Sequence, residues 1–345
     1  MTQSLTVSII IPMRNEAKYI GKCLDSILTN DFPQDKYEIL VVDGRSTDNS
    51  KKVVAQRAEQ SRCVRLLDNP QQIVPPALNR AIRESKGRYI IRMDAHSEYP
   101  PSYIRTCIEE LEATGATNVG GRWITLPGSN SIVARAIALL TQNAIAVGNA
   151  AYRTGQQGRY VDTVPFGAFR REIFDQVGLF REDLVRNQDY ELNARIRKVG
   201  GTIFLSPKLF VKYYNVPTFS KFMRQAYLNG LWVARMWIRY PLSFYWRHAA
   251  PLCFSVCLIG LFGLGALYKL FLMAAIAALS AYSLCAVAAA LQIASRNGWK
   301  FLFVVPPLMF SYHFVYGIST ALGLILPGRK QAVASTGGGL AESRM

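Results

Sequence analysis

The chain has 345 residues, half of them hydrophobic, and a positive mean hydropathy of +0.11. That is long enough for one large domain with an appendage, and too apolar for a wholly soluble enzyme. A formal net charge of +17 calls for an anionic partner such as a lipid headgroup surface, a phosphorylated substrate or nucleic acid, and no zinc-finger spacing or RNP-like aromatic strand supports the last. The six cysteines, at 23, 63, 107, 253, 257 and 285, are scattered, as expected of small buried hydrophobes in a reducing compartment.

Strands expected near 6–11, 37–42 and 88–93 alternate with helices near 16–29, 49–60 and 74–86, a rhythm that builds a parallel α/β sheet with right-handed crossovers. Asp48 suits the N-cap of the second helix, and Gly87 the close of the third. The first strand runs through Pro12 into a polar turn with Asn15 and Glu16, the second ends at Asp43, and the third ends at Asp94-Ala-His96-Ser-Glu98. Ligands of open parallel sheets bind beyond the carboxyl ends of the strands, so Asn15, Glu16, Asp43 and Asp48 are expected to face one crevice. Helical patterns follow near 101–114 and 131–147, then a Gly-rich aromatic loop over 148–168. Asp189 opens a later helix, whose positive end favours an ionised carboxylate.

The N-terminal apolar run has no basic segment before it and ends in a loop, so no signal peptide is expected and the first domain is placed in the cytoplasm. Residues 218–248 interleave aromatic and basic side chains, a pattern expected of an interfacial helix lying on an anionic leaflet. Three apolar runs, 249–268, 270–294 and 301–326, are each long enough to span a bilayer, the third with a kinked or partly re-entrant path open to it through Pro306, Pro307 and His313. Arg239, Arg247 and His248 before the first run, and Arg296 and Lys300 after the second, favour an inside N-terminus; Lys269, Arg329 and Lys330 oppose it. The tail over 327–345 is expected to be disordered.

The pattern Val7-Ser-Ile-Ile-Ile-Pro12-x-x-Asn15-Glu16, followed by Val41-Val-Asp43-Gly-x-Ser46-x-Asp48-x-Ser50, resembles the opening of the family 2 inverting glycosyltransferases with a GT-A fold. The resemblance covers roughly the first two thirds of the chain. It implies an α/β GT-A domain over 1–217, a mostly parallel twisted sheet flanked by helices, with transmembrane helices appended. Pro12, Asn15, Glu16, Asp43 and Asp94 would then bind a nucleotide sugar, Asp43 accepting a hydrogen bond from the uracil or ribose of a UDP-sugar. Asp94 and His96 stand where the family has an Asp-x-Asp motif holding Mn²⁺ or Mg²⁺ against the donor diphosphate. Because the second acid is a histidine here, three arrangements are open: Asp94 alone, His96 as a Mn²⁺ ligand, or Glu98 in its place. Asp189 matches the acid of the family's Glu-Asp motif, with Gln188 in place of Glu, and would be the general base; Asp162, Asp183 and Glu191 compete for that role. Arg170 and Arg171 resemble residues lining the acceptor side, or are solvated charges at a helix start. Arg224, Gln225 and Trp232 stand where processive relatives carry Gln-x-x-Arg-Trp, a motif this chain lacks; they close over a diphosphate or acceptor, or anchor the chain to the membrane. Without the resemblance, Asp43-Gly44 is an ordinary turn pair and Asp189 a simple N-cap with Glu191 in the first turn.

Taken with its apolar tail, the sequence is similar to bacterial succinoglycan and exopolysaccharide glucosyltransferases. This implies UDP-glucose as donor, a polyprenyl-diphosphate-linked saccharide as acceptor and a single β-linked transfer, described in that family as β-1,3. It also implies a multi-pass protein of the bacterial inner membrane with a cytoplasmic catalytic domain, working beside other exopolysaccharide-assembly proteins. A polyprenyl-phosphate sugar synthase, a processive synthase and a non-catalytic membrane scaffold are the alternatives.

Overall fold

The computed structural model describes residues 5–148, 150–154 and 157–326. The tail expected to be disordered, 327–345, lies outside the described residues. In chain order the first half runs β1 (Val7–Met13), α1 (Ile20–Leu28), β2 (Tyr37–Asp43), α2 (Ser50–Gln60), β3 (Val64–Asp68), α3 (Val74–Glu84), β4 (Tyr89–Arg92), β5 (Ser97–Glu98), α4 (Tyr103–Thr114) and β6 (Asn118–Leu126). It continues with α5 (Ile132–Leu140), α6 (Ala144–Val147), α7 (Ala151–Thr154), β7 (Arg159–Tyr160), β8 (Ala168–Arg170), α8 (Glu172–Val177), α9 (Gln188–Lys198) and β9 (Ile203–Tyr214). Four long helices close the chain: α10 (Phe219–Arg239), α11 (Trp246–Gly265), α12 (Lys269–Asn297) and α13 (Phe301–Ile325).

The strands form one mixed sheet in the order β3-β2-β1-β4-β8-β6-β9-β5, with β7 also on β9. The parallel reading holds for β3-β2-β1-β4, and again where β6 pairs with β9. Beyond β4 the sheet is mixed, because β8 enters antiparallel to both its neighbours. Both faces of β1 are covered, which is why its apolar run is continuous. Val7, Ile9 and Ile11 pack with α1 and α4 on one side, while Ile10 packs with Leu78 of α3 and Ile196 of α9 on the other. The order reverses at β1, where β2 lies on one side and β4 on the other, so a crevice opens between the ends of β1 and β4. Gly87, expected as a helix close, follows α3 by three residues and serves close approach instead: a Cβ there would collide with the backbone of Val7 and Ser8.

Among the described residues, three helices, α11, α12 and α13, are long and apolar enough to cross a membrane. Pro251, Pro306 and Pro307 are accommodated inside them without ending them. Exposed Leu270, Met273 and Phe303 give these helices an outer surface suited to hydrocarbon.

The segment expected to lie on a leaflet is packed against protein over much of its length. Ala226, Gly230 and Ala234 recur every fourth residue on α10 and are buried against α13. Small residues at that spacing let two helix backbones approach closely. Phe222 stacks on Tyr312 with ring centroids 4.4 Å apart, Gly230 meets Ser319 and Tyr316, and Ala234 meets Gly323, so the two helices run side by side in the same sense. Phe219, Tyr227 and Ile238 remain exposed. α5, α12 and the first half of α13 close a further apolar cluster through Ile137, Leu140, Ala289, Ile293, Val305 and Leu308. His313 of α13 reaches back to the folded domain: its Nε2 donates to the Ala146 carbonyl at 2.8 Å, leaving Nδ1 to accept from the Tyr282 hydroxyl at 2.9 Å.

A methyl group at Gly230 would collide with Ser319 Oγ and the Tyr316 carbonyl. Gly230→Ala is therefore expected to cost about 1–3 kcal/mol through overpacking, seen as a lowered Tm of the detergent-solubilised chain; an unchanged Tm would mean that α10 does not pack tightly on α13.

Candidate active site

The β1–α1 turn is laced to the β2–α2 loop. Asn15 has φ +55°, a conformation asparagine tolerates. Its N–H donates to Ser46 Oγ at 2.8 Å and its Oδ1 accepts from the Thr47 N–H at 2.8 Å. The N–H groups of Glu16 and Ala17 donate to Ser50 Oγ at 2.7 Å and Asp48 Oδ2 at 3.1 Å. Asp43 is 1% exposed, and its oxygens accept from Ser46 Oγ at 2.5 Å and meet Lys51 Nζ at 3.3 Å. Its carboxylate thus shapes the loop in this arrangement, rather than standing open to a base or ribose. Pro12 is opposite Val42, one residue before the strand ends.

Arg92, which the sequence reading did not single out, is the last residue of β4 and is buried. Its Nη2 donates to Asp94 Oδ1 at 3.3 Å, and its Nη1 to Asp189 Oδ1. One guanidinium thus joins the carboxylate after β4 to the carboxylate in the first turn of α9. A charged residue inside the apolar run Tyr89-Ile-Ile-Arg92-Met was the signal available in the sequence. Asp189 is 31% exposed, at the mouth of the crevice. Burial pushes its carboxyl above the usual aspartate range; Arg92 works against that shift and the charge of Asp94 with it.

The three competing carboxylates are engaged elsewhere. Glu191 is held by Arg195 at 2.7 Å, Asp183 by Arg239 at 3.0 Å and Tyr240 Oη at 2.9 Å, and Asp162 by Arg247. Arg170 and Arg171, expected on the acceptor side, lie at the other end of the sheet. Arg170 pairs with Tyr89 at the start of β4 and reaches Glu112 at 2.7 Å, while Arg171 donates to the Gly87 carbonyl and Ser85 Oγ, both at 2.8 Å. Trp232 is also displaced from the expected place: it is buried among Leu184, Val233 and Trp237 and capped by Arg235 at 4.8 Å. Arg224 is exposed and Gln225 half-buried on α10.

His96 Nδ1 lies 3.0 Å from Glu16 Oε1, and since an ionised carboxylate only accepts, the imidazole donates. Burial disfavours its charge, yet this hydrogen bond and the charges of Glu16 and Asp94 raise its pKa above the ordinary histidine value. With the proton at Nδ1, the Nε2 lone pair is the one available to a cation, the usual carboxylate–histidine–metal relation. Glu98 accepts from the Tyr214 hydroxyl at 2.7 Å. Among the described residues no three or more His, Cys, Asp or Glu gather into a metal cage. That donor set fits a cation taking most of its ligands from a diphosphate, which needs only one or two protein groups. An aromatic wall backs the histidine: Tyr213 meets its edge at 5.1 Å and stacks on Trp123 at 4.4 Å.

The model for Glycosyl transferase family 2 matches residues 8–178, from β1 through α8. The chain belongs to glycosyltransferase family 2. The succinoglycan biosynthesis protein ExoA of Rhizobium meliloti is 32% identical over 208 residues, 60% of this chain and 62% of ExoA, so the match spans less than two thirds of that relative. A dolichyl N-acetyl-alpha-D-glucosaminyl phosphate 3-beta-D-2,3-diacetamido-2,3-dideoxy-beta-D-glucuronosyltransferase of Methanococcus voltae is 24% identical over 92% of this chain and 97% of its own. In fold, this glycosyltransferase is similar to the mannosyltransferase PcManGT of Pyrobaculum calidifontis, solved with GDP-Man and Mn²⁺, at a TM-score of 0.59 and 21% identity over 95% of this chain and 89% of that one. This is the GT-A fold. Asp189 lies beyond the stretch matched by the family model.

If Arg92 joins the two carboxylates, Arg92→Met and Asp189→Asn should not be additive. A double-mutant cycle read by thermal unfolding is expected to give a coupling of about 1–3 kcal/mol; additivity to within about 0.5 kcal/mol would mean that the pair is not formed.

Proposed function

We propose that this glycosyltransferase moves one sugar, glucose from UDP-glucose, with inversion onto a polyprenyl-diphosphate-linked saccharide, forming a β-linkage during exopolysaccharide assembly. The observation that carries the reading is the Arg92 bridge, which sets a carboxylate able to act as base beside the carboxylate at the donor end of β4. The donor nucleotide lies across the ends of β1 and β2, over Pro12, Asn15, Glu16 and the loop shaped by Asp43, with its diphosphate toward Asp94. Asp189 takes the proton of the acceptor hydroxyl as that oxygen attacks the anomeric carbon; the new C–O bond forms as the bond to the nucleoside diphosphate breaks on the opposite face. A carboxyl held above the usual aspartate range is a stronger base than a solvent-exposed aspartate. Asp94 and His96 would hold Mn²⁺ or Mg²⁺, which when bound neutralises the charge gathering on the leaving diphosphate. Glu16 keeps the imidazole oriented for that task.

The lipid-linked acceptor is supported by the three candidate membrane helices and by the relatives, one a succinoglycan biosynthesis protein and one named for transfer to a dolichyl-phosphate-linked sugar. Arg239 ahead of α11, Arg247 in its first turn, and Arg296 and Lys300 at the junction of α12 and α13 support catalysis on the cytoplasmic face of a bacterial inner membrane, where other exopolysaccharide-assembly proteins would take the product onward. Trp232 packed into the core of α10, and only three such helices among the described residues, weigh against a processive synthase that also exports its polymer.

The test is incubation of the detergent-purified chain with radiolabelled UDP-glucose, Mn²⁺ or Mg²⁺ and a bacterial polyprenyl-diphosphate-saccharide extract, following label into the lipid fraction. One added sugar is expected. Asp189→Asn should lower kcat about 10²–10⁴-fold with UDP affinity retained, and chelation with EDTA should stop transfer until Mn²⁺ or Mg²⁺ is restored. His96→Ala is expected to raise the Mn²⁺ concentration needed for half-maximal rate. Label on polyprenyl phosphate alone would identify a polyprenyl-phosphate sugar synthase, a ladder of products a processive enzyme, and unchanged kcat in Asp189→Asn would remove it as the base.

A further inference from the structure

The arginines near the crevice divide into two sets. Arg92, Arg195, Arg239 and Arg247 each pair with a carboxylate. Arg153, Arg186 and Arg224 pair with none among the described residues, although the first two are only partly exposed.

These three come from distant parts of the chain and converge. Arg153 of α7 lays its guanidinium 4.6 Å above Trp123 and 5.4 Å above Tyr152, with Nη1 donating to the Thr141 carbonyl at 3.3 Å. Arg186, in the loop before α9, donates from Nη1 to Asn229 Oδ1 at 3.0 Å, and Asn229 Nδ2 lies 3.5 Å from the Tyr312 hydroxyl. Both arginines bear electrostatically on the hydroxyls of Tyr213 and Tyr312. Burial most of all disfavours the charged form of Arg186, Tyr213 and Tyr312 favour it, and Arg224, on the same helix as Asn229, is near enough to oppose it slightly. Tyr213 also feels Asp94 and Glu16, so the cluster begins where the donor site ends. It extends away from the nucleotide loops toward α10 and α13, the side on which the candidate membrane helices lie.

Like charges brought together in a partly desolvated place repel, and a π-face offsets only part of that cost. A phosphate group reverses the balance, since guanidinium groups bind phosphate oxygens with short, charge-assisted hydrogen bonds. We propose that Arg153, Arg186 and Arg224 seat the diphosphate of the lipid-linked acceptor, at a phosphate site separate from the one Asp94 and His96 serve. The inference rests on the lipid-linked reading of the acceptor. It explains how the reacting hydroxyl is presented to Asp189: Arg186 is three residues before the base on the chain, so an anion held there fixes the lipid end of the acceptor close to α9.

The probe is farnesyl diphosphate, with farnesol as the uncharged control, titrated by calorimetry into the full chain in detergent. Farnesyl diphosphate is expected to bind in the presence of saturating UDP, and Arg153→Gln and Arg186→Gln each to weaken its Kd at least tenfold while UDP binding and Tm stay as in the parent. Arg186→Lys should recover part of the loss. Competition between UDP and farnesyl diphosphate would assign the cluster to the donor diphosphate instead; equal weakening of farnesol would make it a packing feature; unchanged Kd in both glutamine variants would remove the site. These outcomes stand whether or not any acceptor is turned over. In the transfer assay the same variants are expected to raise the KM for a polyprenyl-diphosphate saccharide at least tenfold, with the UDP-glucose KM within twofold of the parent. If the parent transfers no sugar to any lipid acceptor, the proposed function fails while the binding titration still decides the phosphate site.

Discussion

Two carboxylates at the mouth of a crevice repel each other and invite protonation unless a positive charge lies between them. In this glycosyltransferase that charge is Arg92, buried at the end of β4 and shared by Asp94 and Asp189. The side chain is fixed because its strand is fixed: β4 lies between β1 and β8, with apolar packing on both faces. The position of Asp94 therefore follows from the register of the sheet, and α9 is drawn to it through the Arg92 ion pair. Burial raises the Asp189 carboxyl, while Arg92 keeps the rise in check, a balance that leaves the group both ionisable and basic.

The second constraint is the union of the folded domain with the long helices. Close approach at Gly230 and Gly323, the Phe222–Tyr312 stack and the His313–Ala146 hydrogen bond join α10, α13 and α6. A further chain of contacts leads from the crevice to the start of α11: Tyr152 Oη is 3.4 Å from Tyr190 Oη, Tyr190 meets the edge of His248 at 5.0 Å, and His248 Nδ1 is 2.9 Å from Tyr316 Oη. That side of the crevice is thereby built partly from the helices long and apolar enough to cross a membrane. On the proposed lipid-linked acceptor that continuity matters, because the reacting hydroxyl and the lipid anchor would belong to one molecule and both would have to be held at once.

Much of the fold was legible in the residue order. Continuous β-branched runs at β1, β2 and β4, each ending in acidic or amide residues, marked the doubly covered strands and the turns that follow them. Three apolar runs near the C-terminal end marked the long helices, although the structure starts α11 at Trp246 and carries α12 to Asn297, because helical hydrogen bonding continues past the last apolar residue. Less legible was the mixed half of the sheet. β5, β7 and β8 are two or three residues long, too short for any periodicity, and take their strand conformation from the partners they meet.

The sequence by itself determined the strand-end carboxylates, the family pattern and the apolar tail, since each is written in neighbouring residues through local periodicity and turn chemistry. Tertiary structure alone decided which charges meet. Arg92 and Asp189 are 97 positions apart, and nothing local distinguishes Arg170 and Arg171, spent at the far end of the sheet, from Arg153 over Trp123 and Arg186 on Asn229, which among the described residues have no acidic partner. A long side chain reports its partner only after the backbone has placed it, because an ion pair depends on distance in space and leaves no period in the sequence.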